Sequence, residues 1–176
     1  MLKIIIAVVI GAIVMIAAFN KVEAAPSNNE DTPTSETTTT KYTLSINGEV
    51  NKIGTYLINE GGTLGDLITA AGGANNNADN KAYNLDYVLK NNQSFYIAPI
   101  YDSADTCSQT PITKVNINDA SDVELLTING VTSKVATNII AYRTSNGEFK
   151  RIEDLKEVSQ IGSATFEKMK NYVTLK

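Results

Sequence analysis

The sequence predicts an α+β protein built from an N-terminal transmembrane helix, a small sheet-and-helix domain and an all-α C-terminal domain. Three observations carry that expectation. Ile4 to Phe19 is an unbroken run of sixteen apolar or glycine residues. Residues 42–100 place strand-like alternation on either side of one short helical pattern. The last third holds two copies of one pattern thirty positions apart, Ile128-Asn129-Gly130-Val131-Thr132-Ser133-Lys134 aligning with Val158-Ser159-Gln160-Ile161-Gly162-Ser163-Ala164.

A membrane-spanning helix needs about 20 residues, with about 17 as a lower limit, and Met1, Leu2 and Val22 bring the apolar run close to that length. Val22-Glu23-Ala24 before Ala25 offers the small residues a signal peptidase prefers, so residues 1–22 read as an anchor or a signal segment. The run exceeds the roughly 7–15 residues of a signal h-region and only Lys3 precedes it, which favours a retained anchor. Few positive charges before the run fit an N-terminus held inside, with the remainder exported. Residues 23–41 form a Thr-, Ser- and Glu-containing linker too poor in apolar residues to fold.

Tyr42-Thr43-Leu44-Ser45-Ile46 alternates as a half-buried strand does. Asn47-Gly48 signals a hairpin turn, with a second strand expected at 49–53 and continued by Gly54 to Ile58. Thr63 and Asp66 make an approximate capping box for a helix carrying Leu64, Leu67, Ile68 and Ala71 on one face, stopped by Gly72-Gly73. After an Asn-rich loop, Asn91-Asn92 turns into a last strand, Ser94-Phe95-Tyr96-Ile97, ended by Pro99. Strands, one helix and more strand within residues 42–100 make a compact α+β unit. Residues 101–113 lack periodicity and read as a second linker.

In residues 114–176, Asp119 with Asp122 three positions on is expected to cap a first helix, with Val123, Leu125 and Leu126 as its apolar contacts. A second helix runs from Ser133 to Thr144, burying Val135, Ala136, Ile139 and Ile140, and Asn146-Gly147 ends it. A third is expected over 152–158 and a fourth over 163–172, burying Phe166 and Met169. Each copy of the repeat is thus helix, tight Gly-containing hairpin, helix. That arrangement aims backbone N–H groups from a hairpin and a helix N-terminus at one point, which suits a phosphate. Two such points on one body suit a nucleic-acid backbone.

Composition bounds the chemistry. Cys107 is the single cysteine, so an intrachain disulfide is excluded; it reads as an unpaired thiol, with an intermolecular disulfide as the alternative. The chain has no His, which excludes histidine acid–base catalysis and His metal sites. The net charge of −4 is unevenly distributed. Residues 1–112 carry six basic and eleven acidic side chains, whereas residues 113–176 carry nine basic and eight acidic ones. The repeated region is therefore near neutral. Long-range steering of a polyanion is weak, and binding must rest on amide dipoles and a few placed cations.

Asn47-Gly48-Glu49-Val50, Gly54-Thr55-Tyr56, Ala70-Ala71-Gly72-Gly73, Asn84-Leu85 and Phe95-Tyr96-Ile97-Ala98-Pro99 resemble the soluble-ligand-binding β-grasp family. The resemblance implies a β-grasp module for small ligands, glycans or self-association. Ile53 stands where that family usually has Pro, and Asn91-Asn92 where it has an Asp-Gly or Asn-Gly turn. Val115-Asn116-Ile117-Asn118-Asp119-Ala120-Ser121, Ile140-Ala141-Tyr142-Arg143, Asn146-Gly147-Glu148-Phe149, Ile152-Glu153-Asp154-Leu155 and the two hairpins resemble the paired helix-hairpin-helix domain of the late-competence DNA receptors, the ComEA family. The order of apolar segment, β-grasp unit and paired hairpins is also similar to that family.

The resemblance implies a receptor on the bacterial cytoplasmic membrane that holds double-stranded DNA outside that membrane for uptake in natural transformation. Its partners would be DNA phosphates, the membrane through the N-terminal helix, other copies through the β-grasp unit, and DNA-uptake channel proteins. Carried onto this chain, the DNA-binding positions are Asn129, Gly130, Val131, Thr132, Ser133 and Lys134 at the first hairpin. At the second they are Gln160, Ile161, Gly162, Ser163, Thr165 and Lys168. The family hairpin is hydrophobic-Pro-Gly-Ile-Gly. Here Asn129 replaces Pro, Thr132 replaces the second Gly, and Gln160 replaces the first Gly of the second copy. Thr132 is costly at positive φ and reads as a helix N-cap that can also donate to a phosphate. Gln160 strains a positive-φ site and can weaken its hairpin. Lys134 reads as a solvated helix-surface lysine or as a phosphate contact beside the amides of Val131 and Thr132; Ala164 is its counterpart. Lys168 and Lys170 can reach the same backbone, and Arg143 is expected at a surface helix end, favouring the dipole.

A competing reading is a β-grasp scaffold or ligand-binding protein whose altered hairpins contact other proteins. Enzyme activity is not expected: Glu153, Asp154 and Glu157 read as charges on a helix face, with no inward carboxylate cluster for a metal. No cofactor is implied.

Overall fold

The computed structural model describes residues 40–102 and 110–176. The expected anchor, all but the end of the first linker, and Cys107 lie outside the described residues. Among those described, no helix is long and apolar enough to cross a membrane.

The alternation in residues 41–48 becomes strand β1 (Lys41–Gly48), whose Leu44 and Ile46 point into a core. β2 (Gly54–Asn59) pairs antiparallel with it, from Lys41 opposite Asn59 to Ile46 opposite Gly54. Helix α1 (Leu64–Ala70) opens with a complete capping box between Thr63 and Asp66 and buries Leu64, Leu67 and Ile68. It returns the chain to β3 (Ser94–Ile97), which lies parallel to β1 on the side away from β2. Phe95 and Ile97 complete this core with Leu44, Ile46, Val50, Ala71 and Leu89. Gly48, at φ 86°, is required twice over: a Cβ there would lie 2.2 Å from the carbonyl oxygen of Ile97.

The expected strand over 49–53 is instead a loop, with one isolated bridge between Val50 and Ala74. Asn47-Gly48 therefore ends β1 without making a two-residue hairpin. The loop instead turns to α1, where Asn51 and Lys52 donate their amides to the carbonyls of Gly73 and Ala71.

In the hairpin domain β4 (Val115–Asn116) pairs parallel with β5 (Val173–Thr174), so the two ends of the domain close on each other. Between them run α2 (Asp122–Leu125), α3 (Ser133–Asn146), a 3₁₀ helix (Ile152–Glu157) and α4 (Ser163–Met169). Their core gathers Ile117, Leu125, Ile128, Val135, Ile139, Phe149, Ile152, Leu155, Val158, Ile161, Phe166 and Met169. Thirty-residue partners fall together in this list: Leu125 with Leu155, Ile128 with Val158 and Ile139 with Met169.

Five local expectations change. The cap of α2 is Ser121, boxed with Glu124, because Asp119 accepts instead from the Asn116 side chain at 2.8 Å. Val123 and Leu126 are 68% and 42% exposed, so neither is a core contact. The third helix is a 3₁₀ turn ending at Glu157, and the fourth stops at Met169 because Val173 and Thr174 are in the closing strand. Arg143 is a tie inside the fold: its guanidinium donates to the carbonyls of Ile117 (2.8 Å) and Ala120 (2.7 Å).

The two domains pack against one another. At one end Lys114 pairs with Asp79 at 2.7 Å with both side chains nearly enclosed, and Lys81 O accepts from the Thr174 hydroxyl (2.6 Å) and the Leu175 amide (2.9 Å). At the other end Arg151 lies over the rings of Tyr87 (5.3 Å) and Phe95 (5.5 Å), and Lys170 lies 4.1 Å from the Tyr96 ring centre. Lys170 is thereby held on the sheet domain and by Glu167, not free for a polyanion.

Candidate nucleic-acid interface

Both hairpins make the same turn. Val131 N–H donates to Ile128 O at 3.1 Å, and Ile161 N–H to Val158 O at 3.0 Å. One position earlier the backbone is left-handed in each, at φ 87° for Gly130 and 72° for Gln160. Thr132 and Gly162 follow as N-caps of α3 and α4, at φ −100° and −84°. Thr132 thus avoids the conformation that would strain it, and its Oγ1 accepts from Val135 N–H at 3.4 Å. Gly162 offers no side-chain cap.

The accounting of amides follows from these turns. The N–H groups of Val131 and Ile161 are held inside the turns, and the Ile161 side chain is in the core. Among the described residues, the amides of Asn129, Gly130, Thr132, Ser133 and Lys134 have no intrachain acceptor. Ser159, Gln160, Gly162, Ser163 and Ala164 present the same open set at the second hairpin, with Thr165 gained because no cap side chain reaches it. Unpaired amides at a helix start are partial positive charges aimed at solvent. Asn129, Gly130, Thr132, Ser133, Lys134, Gln160, Gly162, Ser163 and Lys168 are all exposed, Val131 and Thr165 partly so.

The halves grip one another reciprocally. Asn138 on α3 donates its side-chain amide to Ser159 O of the second hairpin at 2.9 Å. Its thirty-residue partner Lys168 on α4 packs on the first hairpin, where a Cβ at Gly130 would lie 3.2 Å from Lys168 Cβ and 3.8 Å from Thr165 O. The two bends are therefore neighbours in one assembly. Asn138 was not singled out from the sequence, although the repeat offset pairs it with Lys168.

This exchange makes the hairpins chemically unequal. The first is flanked by Lys134 and Lys168; the equivalent positions at the second are Ala164 and Asn138. Neither Lys134 nor Lys168 forms an ion pair among the described residues. Glu157 accepts from the Tyr142 hydroxyl at 2.7 Å, which helps push that phenol up to about 12, and Asp154 pairs with Arg151 at 2.7 Å. No group of three or more His, Cys, Asp or Glu among the described residues could hold a metal ion.

Residues 110–174 match the family described as helix-hairpin-helix motif, and residues 43–98 match the SLBB domain family. Over 88% of its length the chain is 33% identical to ComE operon protein 1 of Bacillus subtilis (strain 168), covering 82% of that protein. A 57-residue stretch is 49% identical to Endonuclease/exonuclease/phosphatase family domain-containing protein 1 of Xenopus laevis, and 46% identical to the human protein of that name. Those matches span 32% of this chain and 10% of each relative.

Proposed function

This chain belongs to the ComEA-type family, that of ComE operon protein 1, and from that premise we propose that it is a DNA receptor for competence, binding duplex DNA without sequence preference. The observation that carries the reading is the pair of adjacent hairpins with the same turn and open amides at both. Phosphate oxygens accept from the free N–H groups of residues 129, 130 and 132–134 and of 159, 160 and 162–165, while Val131 and Ile161 hold the turns. Lys134 and Lys168 add charge at the first site. Contacts of this kind touch phosphates rather than base edges, so they carry no sequence information.

The receptor is anchored by residues 1–22 and spaced from the bilayer by residues 23–41, with the domains at 42–100 and 114–176 outside the cytoplasmic membrane. The charge distribution supports weak binding at any one copy, near +1 for residues 113–176. Clustering on one membrane raises overall retention through effective concentration. Such an affinity suits a receptor that passes DNA to an uptake channel. The chain has no catalytic role in this reading.

A gel-shift titration of the full chain with unrelated duplexes at two salt concentrations tests the proposal. Retention of all sequences, falling steeply with salt, is the expected result. No shift at low salt would remove DNA from the reading.

A further inference from the structure

The two hairpins make one kind of turn with residues of unequal fitness for it. In each, the fourth N–H closes on the first carbonyl, Val131 on Ile128 and Ile161 on Val158. The third residue has positive φ, Gly130 or Gln160, while the second, Asn129 or Ser159, does not. That pattern is a type II turn, which ordinarily takes glycine at its third position. The alternative, type I, turns the central peptide over and gives the third residue a negative φ. Glycine gains nothing by that change. Glutamine, with its Cβ, escapes the left-handed region.

One side chain holds the central peptide of the second turn. Asn138, half-buried on α3, donates its side-chain amide to Ser159 O at 2.9 Å. Ser159 C=O and Gln160 N–H belong to the same peptide unit, and in a trans peptide they point in opposite directions. Fixing the carbonyl on α3 therefore turns the Gln160 N–H away from α3, where it has no intrachain acceptor among the described residues. In a type I turn the carbonyl oxygen would take that outward place, and an oxygen there repels phosphate. At the first hairpin no side chain among the described residues donates to Asn129 O. Lys168, which stands thirty residues from Asn138, instead lays its stem on Gly130.

We propose that Asn138 is a positioning residue: it holds the Ser159–Gln160 peptide with its N–H outward, compensating for the glycine that the second hairpin lacks. One hydrogen bond and the strain of a left-handed glutamine are of comparable size. Without the bond, the peptide turns over and the second hairpin loses an open amide. The state of the turn does not depend on what binds there. For its DNA consequence the inference rests on the receptor reading.

The test follows the turn and DNA retention together in the full chain. The turn is read from the nuclear Overhauser contact between Ser159 Hα and Gln160 H–N, strong in a type II turn and weak in type I. In Asn138→Ala that contact should weaken, while the equivalent contact between Asn129 and Gly130 stays as in the wild type. Retention of duplex DNA should fall about fivefold, the weight of one ordinary hydrogen bond, with the salt slope unchanged because no cation is lost. Adding Gln160→Gly to Asn138→Ala should restore both the contact and retention, since glycine holds the turn unaided. Asn138→Asp, which keeps the shape but cannot donate, should weaken the Ser159–Gln160 contact as alanine does, and it decides the turn should the alanine protein fold poorly. A contact as strong in both single variants as in the wild type overturns the inference. So does a turn that glycine at 160 fails to rescue, or normal retention by an Asn138→Ala protein whose turn has changed. Should the wild type hold no DNA while the turn responds as described, the positioning role stands and the receptor reading fails.

Discussion

Gly130 and Gln160 hold the same turn position at φ 87° and 72°, yet what surrounds them differs in nearly every respect. At the first hairpin the residue is glycine, the next helix is capped by a threonine hydroxyl, and Lys134 and Lys168 stand on either side. At the second a glutamine accepts a left-handed backbone, the cap is the bare Gly162, and the flanking positions are Ala164 and Asn138. The first hairpin invests in charge and the second in an unobstructed backbone. Duplicated backbone geometry can thus be kept while its electrostatics are divided between copies.

The sharpest break in that comparison comes from adding the same side chain to the two conserved-geometry glycines, Gly130 and Gly162. At Gly130 a Cβ would meet Lys168 Cβ at 3.2 Å in a backbone conformation that disfavours β-branching. Gly130→Val should destabilise the hairpin domain by about 3 kcal/mol, combining left-handed strain with overpacking, measurable by urea unfolding. At Gly162 the backbone is extended and nothing lies within 4 Å of a Cβ. Gly162→Val should cost under about 1 kcal/mol in stability, the poorer N-cap, while its side chain fills the space before the open amides. DNA retention should then fall about tenfold, the loss of roughly one charge-assisted hydrogen bond. A Gly162→Val protein that is folded and binds normally would move the phosphate away from the second hairpin.

The division of charge gives the next test. Lys134→Ala and Lys168→Ala should each lower the salt dependence of binding by about 1 in slope, uniformly across sequences. Ala164→Lys should raise it by about 1, by giving the second hairpin the cation it lacks. An unchanged slope in Lys168→Ala would mean that its packing on Gly130, not its charge, is what matters.

Much of this comparison was legible in the sequence, and the part that was not has a physical cause. The thirty-residue repeat placed both hairpins, and β-branching at Thr132 predicted that it would cap a helix rather than turn left-handed. Capping at Thr63 and the Gly72-Gly73 stop were also readable, because those signals are local. What escaped were long-range partnerships. The open backbone amides cannot be separated from turn-bonded ones by composition, so Val131 and Ile161 were read as contacts although their N–H groups are engaged. Arg143, Lys170 and Glu153 looked like surface charges on helices, yet each bonds to a distant segment: Ile117 and Ala120, Tyr96, and the β3 edge. Asp119 lost the cap of α2 to Ser121 because Asn116 engages it first.

The smallest effect isolates the glutamine itself. A non-glycine residue in the left-handed region costs about 1–2 kcal/mol, whereas glycine there is unstrained but loses more freedom on folding, about 0.5–1 kcal/mol. Gln160→Gly should therefore raise the stability of the hairpin domain by up to about 1 kcal/mol. The substitution removes no cation, so the salt slope should not change. It does remove a Cβ from beside the open amides of the second hairpin, and that hairpin should approach phosphate more closely. A modest rise in affinity, at most about threefold and equal at low and high salt, is the expected signature. Weaker binding in Gln160→Gly would show instead that the glutamine amide is itself a DNA contact. The second copy would then have exchanged a glycine for a hydrogen-bond donor rather than merely tolerated its loss.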